Sequence, residues 1–178
     1  MTKDISVIRP RRKGFGVDDL RELWEYRELV YFFVWRDLKV RYKQTIVGVA
    51  WAVFQPVITM VVFSIFFGQL AKMPSEGIPY PIFVYSGLLF WNFFVASLTD
   101  VSNCLISNQS IVTKVYFPRL ILPISNVSTN FVDFLIASGV LIILMIYYGF
   151  VPHLSGLFMM PLLLLITLAS STGLGLFL

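Results

Sequence analysis

The sequence predicts an all-α integral membrane protein: an amphipathic N-terminal interface helix followed by four transmembrane helices. Three observations predict it. Residues 44–71 (QTIVGVAWAVFQPVITMVVFSIFFGQLA) form a run of 28 residues without a charged side chain, against the roughly 20 needed to cross a ~30 Å hydrocarbon core. Hydrophobic residues make up 57% of the chain, charged residues 13%, and the mean hydropathy is +0.79; soluble domains hold about 45–50% apolar and 25% charged residues. Charge is also segregated. Residues 1–43 hold 11 of the 14 Lys/Arg and 7 of the 10 Asp/Glu, so the whole net charge of +4 belongs to them.

Residues 1–17 read as a basic cytoplasmic tail, in which RPRRKG at 9–14 mixes charge with helix breakers. A basic segment suits nucleic acid or anionic lipid. Beside a first span the lipid surface is the expected partner, and nucleic acid is not. The interface helix is expected over 18–43. Asp19 and Glu22 have capping-box spacing, and Asp18 and Glu25 add negative charge near the helix start. Leu20, Leu23, Trp24, Tyr31, Val34, Leu38 and Tyr42 recur as an apolar stripe, with Arg27, Arg36, Lys39 and Lys43 largely off it. Asp37 and Arg41 stand at i,i+4 and are expected to pair. Such a helix lies in the membrane interface; docking on a soluble partner is the alternative.

Residues 44–178 read as the transmembrane region, with spans at about 45–71, 80–105, 120–148 and 157–178. Pro56 is expected to kink the first. Residues 72–79 form a polar turn, 107–119 a loop with Lys114 and Arg119, and the Gly149, Pro152 and Gly156 cluster divides the uncharged stretch 134–178. The N-terminal segment and the 107–119 loop carry 13 of 14 basic residues, which places both in the cytoplasm by the positive-inside rule. The polar lead before the first span is the wrong order for a cleavable signal peptide. The sequence stops at GLGLFL, inside an apolar run without an anchoring charge, and reads as C-terminally truncated.

An enzyme finds no support. There is no G-x-x-x-x-G-K-[ST] phosphate loop, the sole histidine, His153, falls in an outside turn, and the one cysteine, Cys104, allows no intrachain disulfide. Polarity inside the spans is the positive signal. Asn126, Asn130 and Asp133 fall on one face of the third span, and Asp100 and Asn103 lie near the same side of the second. Carboxylates in a bilayer cost at least ~2.5 kcal/mol each and persist only facing protein or water. Two readings stand: a hydrophilic pathway lining, or helix–helix hydrogen bonds worth ~0.6 kcal/mol on average. Asp133, near mid-span, favours function, with an ion pair to an absent segment as the alternative. Phe54, Phe63 and Phe66 in the first span, and Phe90, Trp91 and Phe94 in the second, sit away from the interfacial belts. Packing accounts for each ring singly; together they suit a passage for a carbohydrate chain, whose C–H faces stack on aromatic rings. Gly48, Ala52, Ala169, Gly173 and Gly175 allow close helix approach and modestly suggest self-association.

The segments WRDLKVRYKQT at 35–45, VGVAWAVFQP at 47–56 and TKVYFPRLILP at 113–123 closely resemble the membrane subunits of ABC-type polysaccharide exporters, which move lipid-linked O-antigen, capsule or teichoic acid chains. The resemblance covers residues 20–178. It implies a homodimeric inner-membrane permease with a pathway between protomers, driven by two cytoplasmic ATPase subunits. ATP and magnesium would bind there, with no cofactor on this chain. It further implies a coupling helix at about 108–117 that docks on the ATPase, with Asn108, Ile111, Lys114, Val115, Tyr116 and Phe117 as its contacts. The family's membrane subunit has six spans, with re-entrant helices between the last two. Phe54, Phe63, Phe66, Phe90, Trp91, Phe94, Asn126, Asn130 and Asp133 are then the expected pathway lining. Arg36, Lys39, Arg41 and Lys43 are expected at the head groups, holding the substrate's pyrophosphate or, as any basic flank would, anchoring anionic lipid. A permease of the same architecture for a drug or lipid, and a membrane scaffold recruiting a cytoplasmic partner, remain as alternatives.

Overall fold

The computed structural model describes residue 24 and residues 26–43, 46–75, 77–114, 120–152 and 154–177; at 43, 46–53, 111, 154, 155 and 157 only the backbone is described. The expected tail 1–17, the capping residues Asp18, Asp19, Glu22 and Glu25, the coupling residues Val115, Tyr116 and Phe117, and His153 lie outside the described residues. The described regular structure is all helical: α1 Arg27–Lys43, α2 Ile46–Phe63, α3 Tyr80–Ser107, the one-turn α4 Gln109–Val112, α5 Ile121–Tyr147 and α6 Leu154–Phe177.

Among the described residues, three helical stretches are long and apolar enough to cross a membrane: Tyr80–Ser107, Ile121–Tyr147 and Phe158–Phe177. They match the second, third and fourth expected spans. Of the first, the described side chains form the shorter apolar helix Phe54–Leu70. Its end departs from the expected α-helix. Ser64–Leu70 winds as a π-helix, and the Ala71 N–H donates to the Phe66 carbonyl five residues back at 2.9 Å. Pro56 lies within α2.

Proline and glycine set the boundaries. Pro79 precedes α3 and Pro81 occupies its first turn, where a missing N–H costs nothing. At the end of α5 the chain closes a Schellman motif. The Phe150 N–H reaches the Met145 carbonyl at 2.9 Å and the Gly149 N–H that of Ile146 at 3.1 Å, with Gly149 at φ +62°. Phe150 and Met145 both pack on the core, which completes the motif. This cap separates α5 from α6 where the sequence expected a break. Gly149→Ala is expected to cost about 1 kcal/mol, since only glycine holds that φ without strain; detergent unfolding of the variant beside Gly156→Ala measures it.

Helix α3 is the central post, packing chiefly on α5 and α6 and then on α2, while α1 lies against α5. Its buried residues, Ile82, Tyr85, Leu89, Phe93, Ser97, Val101 and Cys104, form one stripe at spacings of three and four. Tyr85, Leu89 and Phe93 join Met60 of α2 and Phe134 and Leu141 of α5 in the main core. A second cluster of Phe33, Cys104, Ile121 and Leu122, with Leu29, Val30 and Val112 packed on it, seats α1 and α4 on the other end of the bundle.

The outer surface is apolar, with Ile143, Ile146, Phe158 and Leu165 largely exposed. Exposed aliphatic faces on this scale belong in lipid or against other membrane helices. The protein is membrane-embedded. Two sequence expectations need correction here. Gly175 is buried, and a Cβ there would lie 2.6 Å from Val101 Cγ1, so it serves the α3–α6 contact within the chain and not self-association. Helix α1 does not divide into an apolar and a basic face. Tyr31, Phe32, Trp35 and Val40 are exposed, whereas Leu29, Val30, Phe33, Arg36 and Asp37 turn inward. The bundle supplies carboxylates and amides that a lipid surface does not, and these draw Arg36 and Arg41 onto the protein.

Candidate functional site

The two aspartates inside the spans find their partner in α1. Arg41 forms ion pairs with Asp133 of α5 and, at 3.3 Å, with Asp100 of α3, and donates to Asn130 Oδ1 at 3.0 Å. Tyr42 donates its hydroxyl to the other oxygen of Asp133. Asn130 donates to Asp100 Oδ2 at 2.9 Å, and Asn126 to the Asp100 backbone carbonyl at 3.0 Å. Six side chains from three helices thus form one network in which both Asp133 oxygens are used. Burial by itself depresses the Arg41 pKa, but Asp133 and then Asp100 more than offset it and hold the guanidinium above its usual value. Burial, reinforced by the hydrogen bond to Asp133, pushes the Tyr42 phenol above its usual range, so it stays a donor.

Two hollows flank the network. On one side a half-open cavity of about 370 Å³ lies between α2, α3 and α5, lined by Gln55, Trp91, Asn92, Asn130 and Asp133 among apolar residues. On the other a polar cleft of about 590 Å³ lies between α1, α3 and α5, lined by Arg36, Arg41, Asp100, Asn103, Asn108 and Asn126 among others. Three amides, a carboxylate and an exposed indole make the cavity suited to a polyhydroxyl ligand, because hydroxyls pair with amides and sugar C–H faces stack on Trp.

The expected lining residues separate into groups. Trp91, Asn130 and Asp133 meet at the cavity, and Asn126 lies in the cleft. Phe90 packs instead on Phe134, centroids 5.4 Å apart, as part of the core. Phe94 stands beside Trp91, centroids 6.1 Å apart. Phe54, Phe63 and Phe66 are exposed, with Phe63 against Phe67 at 5.4 Å. Gln55 and Asn92, not singled out in the sequence, line the cavity too.

The expected head-group residues also divide. Lys39 is exposed, its ammonium 4.2 Å over the Trp35 ring. The Lys43 side chain lies outside the described residues. Arg41 is engaged in the network, with its side chain 41% exposed. Arg36 pairs with Asp37 at 2.8 Å, so the expected Asp37–Arg41 pair does not form; it also reaches Asn108 Oδ1 at 3.3 Å and lies over the Phe33 ring. Asn108, an expected coupling residue, caps the end of α3 and is thereby tied to α1. Lys114 is exposed, and the Ile111 side chain is not described.

Residues 28–178 match the family model of the ABC-2 type transporter membrane domain. The chain belongs to the ABC-2 type transporter family. This ABC-2 protein is 32% identical over 128 residues to an O-antigen export system permease protein RfbA of Klebsiella pneumoniae, covering 72% of this chain and 49% of the relative. It is 33% identical over 131 residues to the protein of that name from Myxococcus xanthus, covering 73% of this chain and 49% of the relative. The chain therefore spans about half the length of the curated relatives it matches.

Proposed function

We propose that this chain is the permease subunit of an ATP-driven exporter that moves a lipid-linked polysaccharide across the inner membrane. The observation that carries the reading is the intramembrane cavity of Trp91, Gln55, Asn92, Asn130 and Asp133, in an ABC-2 chain whose matched relatives are named O-antigen export permeases. A pathway for ions would not need an indole platform; one for a drug or lipid would not need three amides and a carboxylate. In this reading ATP is hydrolysed on two separate ATPase subunits, this chain pairs with a second copy of itself, and the N-terminus and the segment after α3 face the cytoplasm. Asn108, Lys114 and the neighbouring turn take the ATPase stroke. Lys39 and Trp35, exposed together on α1, anchor anionic lipid.

In cells that make the glycan, Trp91→Ala is expected to cut surface polysaccharide about tenfold while lipid-linked glycan accumulates inside, as losing a stacking platform worth ~1.4 kcal/mol requires. Membrane levels of the protein serve as the control. Unchanged surface polysaccharide after loss of the gene would refute the export reading.

A further inference from the structure

The network around Arg41 stands between the two hollows, and its bonds run across the boundary. Arg41 lines the cleft and Asp133 the cavity; Asn130 lines the cavity and Asp100 the cleft. The Arg41–Asp133 pair, the Arg41–Asn130 bond and the Asn130–Asp100 bond each join a residue of one hollow to a residue of the other. We propose that Arg41, with Tyr42, is a latch: the end of α1 closes the polar cleft off from the intramembrane cavity, and the two hollows communicate only when α1 withdraws.

The chemistry makes the latch two-state. Closed, one guanidinium serves two carboxylates from α3 and α5 and an amide between them. Open, Asp100 and Asp133 would face each other without their cation in a low-dielectric bundle, a cost that holds α1 in place until something else pulls on it. The handle for that pull is built in. Phe33 of α1 shares a buried cluster with Cys104 of α3 and Val112 of α4, and Arg36 bonds Asn108 at the α3–α4 corner. A displacement of α4 is thus felt by the same helix that carries Arg41. Phe33, Arg36 and Arg41 all belong to this one helix, Arg36 one turn after Phe33 and Arg41 five residues further on.

Thiol accessibility tests the latch without any transport assay, so its failure and that of the export reading are distinguishable. In a Cys104→Ala background reconstituted in nanodiscs, a charged maleimide is applied to Asn103→Cys in the cleft and, separately, to Asn92→Cys in the cavity. With Arg41 intact the cavity thiol is expected to react about tenfold or more slower than the cleft thiol; adding Arg41→Ala brings the two rates within about threefold, as a population shift to the open state requires. Glu28→Ala, on the exposed first turn of α1, changes neither rate. Should Arg41→Ala fail to insert, Asp133→Asn, which keeps size and removes charge, is read the same way. Equal rates with Arg41 intact overturn the latch, as does a cavity rate that Arg41→Ala or Asp133→Asn leaves unmoved while unfolding shows weaker cohesion, the signature of a purely structural cross-link.

Discussion

Asp133→Leu is expected to lower the unfolding free energy by about 2 kcal/mol, whereas Asp37→Ala is expected to fall within ~0.5 kcal/mol of the parent. Asp133 accepts from both Arg41 and Tyr42, so its loss leaves a guanidinium and a phenol short of partners inside the helix bundle. Removing one member of a fully buried pair costs roughly 3–5 kcal/mol. The smaller figure follows from the 41% exposure of the Arg41 side chain and its remaining bonds to Asp100 and Asn130. Among the described residues Asp37, by contrast, pairs with its neighbour Arg36, which keeps Asn108. Unfolding in mixed micelles measures both. A double cycle with Arg41→Met and Asp133→Leu isolates the pair, with an expected coupling of at least ~1 kcal/mol. Additive losses would show that the two side chains stand near each other without supporting each other.

Gly175→Leu is expected to cost about 3 kcal/mol, the upper end of overpacking. A Cβ at that position lies 2.6 Å from Val101 Cγ1, 2.7 Å from its Cβ and 3.4 Å from the Leu98 carbonyl, so helices α3 and α6 must part. Ser97 and Ser171, both fully buried on these two helices, add to a stripe of small residues that allows the approach. Gly173→Leu, where a Cβ meets nothing within 4 Å, serves as the control and is expected to be near neutral. Since alanine at 101 keeps the Cβ 2.7 Å away, Val101→Ala combined with Gly175→Leu is expected to recover less than half of the loss. Equal losses at Gly173 and Gly175 would mean that the α3–α6 crossing does not depend on close approach.

Much of the architecture is legible in the sequence because a bilayer imposes simple rules. Apolar runs must be about 20 residues long, and chain breaks need glycine and proline in a polar turn. The helices Tyr80–Ser107, Ile121–Tyr147 and Leu154–Phe177 follow from those rules, as does the break at Gly149. The π-helical end of the first apolar run does not, because SIFFGQL carries no feature of α-helical periodicity that forbids ordinary winding. At the site, the cost of an intramembrane carboxylate marked Asp100 and Asp133 as residues that need protein or water beside them. The protein partner, Arg41, is 92 residues from Asp133 and 59 from Asp100, and local charge spacing paired it with Asp37 instead. Among the aromatics, sequence depth separated none: Trp91 faces the cavity and Phe90, the preceding residue, packs on Phe134. Adjacent residues on a helix point about 100° apart, and which direction is inward depends on neighbours the sequence does not order.

By itself the sequence determined the solvent: hydrocarbon, with charge collected at one end and two aspartates left to be neutralised. That follows from transfer free energies, which belong to each side chain separately. Only the tertiary structure decided that α1 folds its arginine back between α3 and α5, dividing one polar region into a cleft and a cavity. The physical reason is that an ion pair is a property of two positions in space, and the packing of Phe33 and Gly175 against distant helices fixes those positions.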